Sequence, residues 1–173
     1  MKQKIIALLL TFSSLLTFAS SVVHAEDKAT PVKSKYVISS DSSFAPFVFQ
    51  DNNNQYTGID MDLIKAIAKD QGFNITIKNP GFDVALNDVQ TGHADGMIAG
   101  MTVTDARKKT FDFSDSYYSA NSILAVAKSS TISSYEDLKG KTVGVKNGTS
   151  SQTFLTDNQK KYGYKIKTFS DGA

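Results

Sequence analysis

The sequence contains no cysteine among its 173 residues. A disulfide-stapled scaffold and a cysteine nucleophile are therefore excluded. An N-terminal lipid anchor also lacks the cysteine that would carry it. The chain is 40% hydrophobic and 21% charged, which is the composition of an ordinary globular protein. Collagen-like and intrinsically disordered classes are excluded by the same figures.

Histidine is scarce as well, since only His24 and His93 occur. His24 lies in a segment that we expect to be removed, and nothing around His93 indicates a ligand set or a catalytic triad. The stretch 51–62 imitates a calcium loop, but Tyr56 stands where such a loop needs glycine. We therefore predict no metal, no cofactor and no catalytic residues.

Arginine is limited to Arg107, whereas eighteen residues are lysine. The formal net charge is +2, and two of the 19 cations, Lys2 and Lys4, lie in an N-terminal segment without acids. Removing them leaves 17 cations against 17 anions, so the remaining body is neutral. A neutral body gives no electrostatic reason to expect nucleic acid as a partner.

Residues 1–25 have the three parts of a secretory signal peptide: a basic start, an apolar run from Ile5, and small residues at Val23-His24-Ala25. We predict cleavage after Ala25 and export to the periplasm or to the outer face of the cell membrane. The alternative is a retained membrane-spanning helix, which the serines and threonines within the run disfavour.

After a polar linker at 26–34, β-branched runs alternate with stretches of helical periodicity. This alternation predicts an α/β fold with largely parallel strands. The predicted strands are 36–40, 73–78, 94–100, 122–128, 142–146 and 164–169. One predicted helix is capped by Asp60 and ends at Gly72, and the other two helices are 83–91 and 151–162.

The sequence ends at Ala173, directly after a strand candidate. An open α/β layer needs a further helix to cover its sheet. We therefore expect this chain to be the leading part of a longer protein.

Arg107 is the first candidate for a binding residue. It follows Gly100 and Thr102 at the end of an apolar strand, and ligands bind at such strand ends in open α/β sheets. A guanidinium offers paired donors that match a carboxylate, which lysine cannot do. The alternative is a solvated surface arginine beside Lys108 and Lys109.

A second candidate is the turn 145–151, where a strand passes through Gly148 into a helix. Amides and hydroxyls at a helix N-terminus can bind an anion, which makes Thr149 and Ser150 candidates. Ordinary capping of the helix is the alternative for the two hydroxyls. The pattern is not a nucleotide-binding phosphate loop.

The loop after the first strand contributes Asp41 and Phe44, and Phe82 follows the next strand. The two rings could belong to the hydrophobic core. The functional alternative is that they form stacking walls of a cleft.

The order and spacing of these segments resemble those of the polar amino-acid-binding proteins of ABC importers, most of all the glutamine-binding type. The resemblance runs from about Lys35 to the last residue. It is carried by Asp41-x-x-Phe44-x-Pro-Phe, Gly58-x-Asp60-x-Asp62-Leu, Gly92-x-x-Asp95, Ala99-Gly-Met-Thr-Val-Thr-Asp-Ala-Arg107, Phe111-Asp-Phe-Ser-Asp-Ser-Tyr-Tyr118 and Asp137-Leu-Lys-Gly-Lys-Thr-Val-Gly-Val-Lys-Asn-Gly-Thr149.

The resemblance implies a type II periplasmic-binding-protein fold, in which two α/β lobes close over the ligand like a flytrap. The first lobe with its first crossover segment would be 35–121. The second lobe would be 122–173 and incomplete, so that an acidic residue and a return crossover that the family uses lie beyond it.

The resemblance also implies roles for individual residues. Arg107 would bind the α-carboxylate, helped by Thr102 and Ser150 at the turn that also contains Thr149. The Gly100 carbonyl and the Thr102 hydroxyl would accept hydrogen bonds from the α-ammonium. Phe44 and Phe82 would sandwich the ligand side chain, and its polar tip would be reached by Asp41 and Lys146.

An acceptor and a donor at that tip suit an amide, which carries both groups. Lys146 would repel a cationic tip and Asp41 an acidic one. We therefore expect glutamine or asparagine as the ligand and an ABC transporter permease, possibly fused in the same polypeptide, as the partner. The alternatives on the same fold are a dehydratase-like enzyme and an amino-acid sensor domain of a receptor.

Overall fold

The structure is a computed structural model and describes residues 33–170. The predicted signal peptide at 1–25 and linker residues 26–32 lie outside the described residues, as do 171–173. Between residues 33 and 170, no helix combines the length and the apolar character that crossing a bilayer requires.

The secondary structure alternates between strands and helices, as predicted. In chain order the elements are β1 (Lys35–Ser39), β2 (Phe49–Gln50), β3 (Tyr56–Thr57), α1 (Ile59–Gln71), β4 (Asn74–Lys78), α2 (Phe82–Gln90), β5 (Gly96–Met97), β6 (Thr142–Lys146), α3 (Ser150–Tyr162) and β7 (Lys165–Phe169), with short 3₁₀ turns at Arg107–Lys109 and Glu136–Leu138.

The first sheet has the strand order β4-β1-β5, and both pairings are parallel. Its central strand β1 buries Ile38 and Ser39, because it has a neighbour on each side. Helices α1 and α2 supply the crossover connections that parallel pairing demands. Strand β5 is shorter than the predicted 94–100, since only Ile38 and Ser39 of β1 pair with it.

The N-cap of helix α1 lies two residues before Asp60, so the predicted cap at Asp60 was wrong. The N-terminal neighbour of the helix is Gly58, and no side chain caps the helix. Instead, the N–H groups of Ile59 and Asp60 donate to the backbone carbonyls of Pro46 and Phe47 at 3.0 and 2.9 Å. Because these two N–H groups already have acceptors, the Asp60 carboxylate is not needed as a cap. Asp60 is fully buried in the first turn of the helix.

The second sheet consists of β6 and β7, paired in parallel and connected by α3. Its core contains Leu138, Val143, Leu155 and Tyr164, and the Tyr164 hydroxyl donates to the Leu155 carbonyl at 2.6 Å. Helix α3 is capped by Thr149, which accepts a hydrogen bond from the Gln152 N–H at 3.2 Å. The two parallel sheets confirm the predicted α/β class.

The predicted strand at 122–128 is wrong for this structure. The segment forms no strand, and Ile123 is 87% exposed. Its β-branched pattern is that of a buried strand, but a strand needs a hydrogen-bonded neighbour. None of the strands within residues 33–170 pairs with it.

We expect Gly58→Ala to destabilise the chain more than Gly72→Ala, although both glycines have positive φ angles, 118° and 70°. A Cβ at Gly58 would collide with the carbonyl of Phe47 and lie 2.7 Å from the carbonyl oxygen of Pro46, whereas a Cβ at Gly72 has no neighbour within 4 Å. The Gly72 variant should lose only about 1–2 kcal/mol from backbone strain. Urea denaturation measures the free energy of unfolding of both variants, and an equal decrease in the two would contradict the proposed collision at Gly58.

Candidate ligand-binding site

Polar side chains from both sheets meet at the carboxyl ends of parallel strands. Asp41 lies two residues after β1, and Lys146 is the last residue of β6. The first residue of α2, Phe82, lies beyond the end of β4. Strand ends of open parallel sheets are where α/β proteins bind ligands, because the loops there converge.

Asp41 and Lys146 form an ion pair between the two sheets. The Lys146 Nζ lies 2.6 and 2.7 Å from the two carboxylate oxygens of Asp41, and it also donates to the Ser43 carbonyl at 3.2 Å. The Lys146 side chain is only 13% exposed and the Asp41 side chain only 2%. The Asp41 carboxylate accepts a further hydrogen bond from the Ser42 N–H at 2.7 Å. A buried, charge-assisted contact of this kind fixes the position of both groups.

Arg107 also connects the two sheets. Its Nη1 donates to the Thr102 carbonyl at 2.8 Å, and its Nη2 donates to the Gly148 carbonyl at 3.0 Å. The guanidinium carbon lies 5.6 Å from the centre of the Phe82 ring. Burial lowers the pKa of the Arg107 guanidinium, which nevertheless stays charged. Thus Arg107 is not a solvated surface arginine.

The turn before α3 places its two hydroxyls in different environments. Thr149 caps the helix and donates to the Lys146 carbonyl at 2.8 Å. Ser150 donates to the Thr102 hydroxyl at 3.3 Å, across to the loop that also bears Arg107. The capping alternative therefore describes Thr149, while Ser150 faces the predicted site.

Phe44 and Phe82, the two rings of the predicted sandwich, have different surroundings. Phe44 is 40% exposed and stacks on Phe47 with a centroid distance of 5.1 Å, whereas Phe82 is buried beneath Arg107. Gly100 lies against Phe44, since a Cβ there would be 2.5 Å from the Phe44 Cε1. Each ring has a protein partner of its own, and their place on either side of a ligand side chain stays a prediction.

A cavity of about 980 Å³ adjoins part of this cluster. Its wall includes Phe44, Gly100 and Thr102, and the segment 110–120 forms much of the rest. The ion pair and Arg107 do not line it. The residues that line the cavity lie between positions 44 and 120, whereas the cluster joins side chains from both sheets, so we place the candidate site at the cluster.

Two contacts near the site were not predicted from the sequence. The Asn147 side-chain amide donates to the Asp83 carboxylate at 2.9 Å, which adds a further bond between the two sheets. The Tyr117 hydroxyl donates to the buried carboxylate of Asp60 at 2.8 Å. Asn147 lies inside the turn that was singled out, but nothing in the sequence marks Asp83 as its partner.

The cluster combines a carboxylate, an ammonium, a guanidinium and hydroxyls within one partly buried region. Such a set can bind a small zwitterion through its charges and its polar end. Among residues 33–170, no group of three histidine, aspartate or glutamate side chains is arranged to bind a metal ion.

Comparison with known proteins identifies the family. Residues 36–169 match the bacterial extracellular solute-binding proteins of family 3. The arginine-binding extracellular protein ArtP of Bacillus subtilis is 34% identical over 161 residues, which are 92% of this chain and 63% of that protein. The chain thus spans less than two thirds of this relative's length.

Two solved structures are more similar in sequence. The second substrate-binding domain of a putative amino acid ABC transporter from Streptococcus pneumoniae is 78% identical, with a TM-score of 0.50, over 79% of this chain and 62% of that one. Substrate-binding domain 2 of Lactococcus lactis GlnP, in an open conformation, is 53% identical, with a TM-score of 0.52, over 83% and 62% of the two chains. With its α/β periplasmic-binding-protein-like fold, the chain belongs to the bacterial extracellular solute-binding proteins of family 3.

Proposed function

We propose that this chain binds a neutral polar amino acid, glutamine or asparagine, outside the cytoplasmic membrane and delivers it to an ABC transporter permease. The observation that carries the proposal is the buried Asp41–Lys146 ion pair. It places a hydrogen-bond acceptor and a donor side by side between the two sheets. A side-chain amide can donate to the carboxylate and accept from the ammonium at once.

The same pair argues against charged ligands. An arginine tip would be attracted by Asp41 but would lie against Lys146, which already neutralises that carboxylate at 2.6 Å. A glutamate tip would lie against Asp41. Because the pair is only slightly exposed, water screens these repulsions weakly.

Arg107 is the proposed partner of the ligand's α-carboxylate. Two of its five N–H donors are engaged with the carbonyls of Thr102 and Gly148, which orients the planar group. The Ser150 and Thr102 hydroxyls lie beside it and would complete the anion site. We assign the Gly100 carbonyl and the Thr102 hydroxyl to the α-ammonium, and the exposed ring of Phe44 to the aliphatic part of the ligand.

Capture of the ligand would follow from the distribution of these groups. Asp41, Gly100 and Arg107 belong to the first-sheet part of the chain, while Lys146 and Ser150 belong to the second. A ligand between them contacts the full set only when the two parts are closed. Binding would therefore shift an open–closed equilibrium by the difference in affinity between the two states.

The transporter partner is proposed from the relatives. The S. pneumoniae structure is described as the second substrate-binding domain of a putative amino acid ABC transporter, and it is 78% identical to this chain. That description supports a permease as the recipient and supports attachment of this chain to it. The arginine-binding relative makes arginine the direct competitor for the role of ligand.

We expect Arg107→Lys to weaken glutamine binding by about 2–3 kcal/mol, or roughly 30- to 150-fold in Kd, because the charge remains but the paired donors are lost. Isothermal titration calorimetry with glutamine measures the change. Lys109→Arg is the matched control, since it makes the opposite exchange at an exposed neighbour and should leave Kd unchanged. Full affinity in Arg107→Lys would remove this residue from the site.

We expect Lys146→Leu to improve arginine binding at least about tenfold relative to glutamine, because the ammonium that repels a cationic tip is gone. A panel of glutamine, asparagine, arginine, histidine and glutamate, titrated into each variant, measures the preference. Lys160→Leu, at an exposed position of α3, is the control and should keep the parent preference.

The Lys146 variant leaves the Asp41 carboxylate buried without its partner, which can cost about 3–5 kcal/mol of stability. Asp41→Asn tests the same idea from the other side, since it keeps Lys146 and should shift the preference toward glutamate. If neither variant changes the order of ligands, the ion pair does not determine specificity. If the parent chain itself prefers arginine, the amide assignment is wrong.

A further inference from the structure

The turn that precedes α3 packs against the first turn of α2. Asp83 is the second residue of α2, and Asn147 lies between β6 and α3. The Asn147 side-chain amide donates to the Asp83 Oδ2 at 2.9 Å, and both residues are partly buried. A Cβ at the neighbouring Gly148 would lie 3.3 Å from the Asp83 Cβ and 3.5 Å from its Cα. The hydrogen bond therefore belongs to a close approach of two backbone segments, one from each sheet part.

Both partners of this hydrogen bond are held by their own surroundings. The second carboxylate oxygen of Asp83, Oδ1, accepts the Val84 N–H at 3.0 Å. The backbone N–H of Asn147 donates to the Phe169 carbonyl at the end of β7 at 2.8 Å. Because both groups are already oriented, little conformational freedom is lost when they meet. The acceptor is a carboxylate, which makes the hydrogen bond stronger than one between neutral groups.

The Asp83–Asn147 contact connects the two sheet parts without any group that is assigned above to the ligand. The Asp41–Lys146 ion pair and the contacts of Arg107 use side chains that the proposed function gives to the amino acid. Those side chains would share their hydrogen bonds with a bound amino acid. Asp83 and Asn147 would stay bonded to each other, so their contact adds to closure whatever the ligand is.

We propose that Asp83 and Asn147 are positioning residues, which stabilise the closed arrangement of the two sheet parts and raise the affinity for the amino acid without touching it. The inference rests on the proposed function, in that closure is taken to accompany binding. A protein that is closed for only a fraction of the time binds with an affinity lowered by that fraction. Because the ligand touches neither residue, loss of the contact weakens different ligands by the same factor, in contrast to loss of Lys146.

Asn147→Ala removes the donor of the hydrogen bond. We expect Kd for glutamine and Kd for asparagine each to rise about fivefold in titration calorimetry, in keeping with one lost hydrogen bond. Asn147→Asp should raise both by at least about twentyfold, because two carboxylates then face each other. Asn87→Ala, which removes an exposed amide from α2, is the control and should leave both values unchanged. Unchanged Kd values in Asn147→Ala, or a changed ratio between the two ligands, overturn the proposal.

Combining Asp83→Asn with Asn147→Asp exchanges the donor and the acceptor. The amide introduced at position 83 can accept the Val84 N–H through its oxygen and donate through its nitrogen to the carboxylate introduced at position 147. We expect this double variant to bind glutamine within about threefold of the parent, because the contact is restored. A double variant that binds as weakly as Asn147→Asp alone overturns the proposal, since the loss then comes from the new charge and not from the lost contact.

A distance measurement separates this proposal from the proposed function. The sequence has no cysteine, so Lys69→Cys in α1 and Lys160→Cys in α3, both at exposed positions, can carry two spin labels. Without added ligand, Asn147→Asp should shift the distances between the labels to longer values, and the double exchange should reverse the shift. If the parent binds no amino acid, the proposed function fails, and unchanged label distances then overturn the closure role as well. If the parent binds glutamine but Asn147→Ala and Asn147→Asp leave Kd unchanged, only the closure role fails.

Discussion

The ion pair between Asp41 and Lys146 is the contact on which the rest of the site depends. It joins the loop after β1 to the end of β6, and both groups are almost completely removed from water. Neither charge could be buried in this way alone, because an unpaired ion in the interior costs several kcal/mol. The pair therefore brings the two sheets together at their carboxyl ends. Around it lie the weaker contacts of Arg107 with Gly148 and of Ser150 with Thr102.

Much of the fold could be predicted because it follows from local patterns. Period-two and helical spacing identified β1, β4, β6, β7 and all three helices to within a few residues. The predictions failed where a distant backbone decides. The start of α1 depends on the carbonyls of Pro46 and Phe47, and the segment 122–128 lacks a neighbouring strand among the described residues. Neither condition is visible in the residues of the element itself.

In the candidate site, too, some features could be predicted from the sequence and others could not. Arg107 and Thr102 could be singled out because a rare residue type follows the end of a strand, whereas the roles of Asp41 and Lys146 came from the family resemblance. In the structure Arg107 contacts Thr102, and Lys146 contacts Asp41. The arrangement of the rings could not be predicted. Phe44 and Phe47 belong to one loop and stack on each other with a centroid distance of 5.1 Å, a contact that depends on how the loop folds and not on the identity of its residues alone.

Family membership leaves the ligand open, because the local charges of the site decide it. A relative named for arginine binding is 34% identical to this chain over 161 residues, a level at which a fold is kept while the ligand can change. Selectivity among polar amino acids requires only a change in the balance of charge at the tip of the ligand, since one buried charge contributes more than the difference between two neutral side chains. Here that balance is neutral, because Lys146 already compensates Asp41. If the ion pair contacts the tip of the ligand, as we propose, a cationic ligand would have to displace the ammonium of Lys146, whereas an amide could bind beside it. Under the proposed function, the residue at position 146 would therefore indicate the class of ligand more directly than the overall similarity of the chain does.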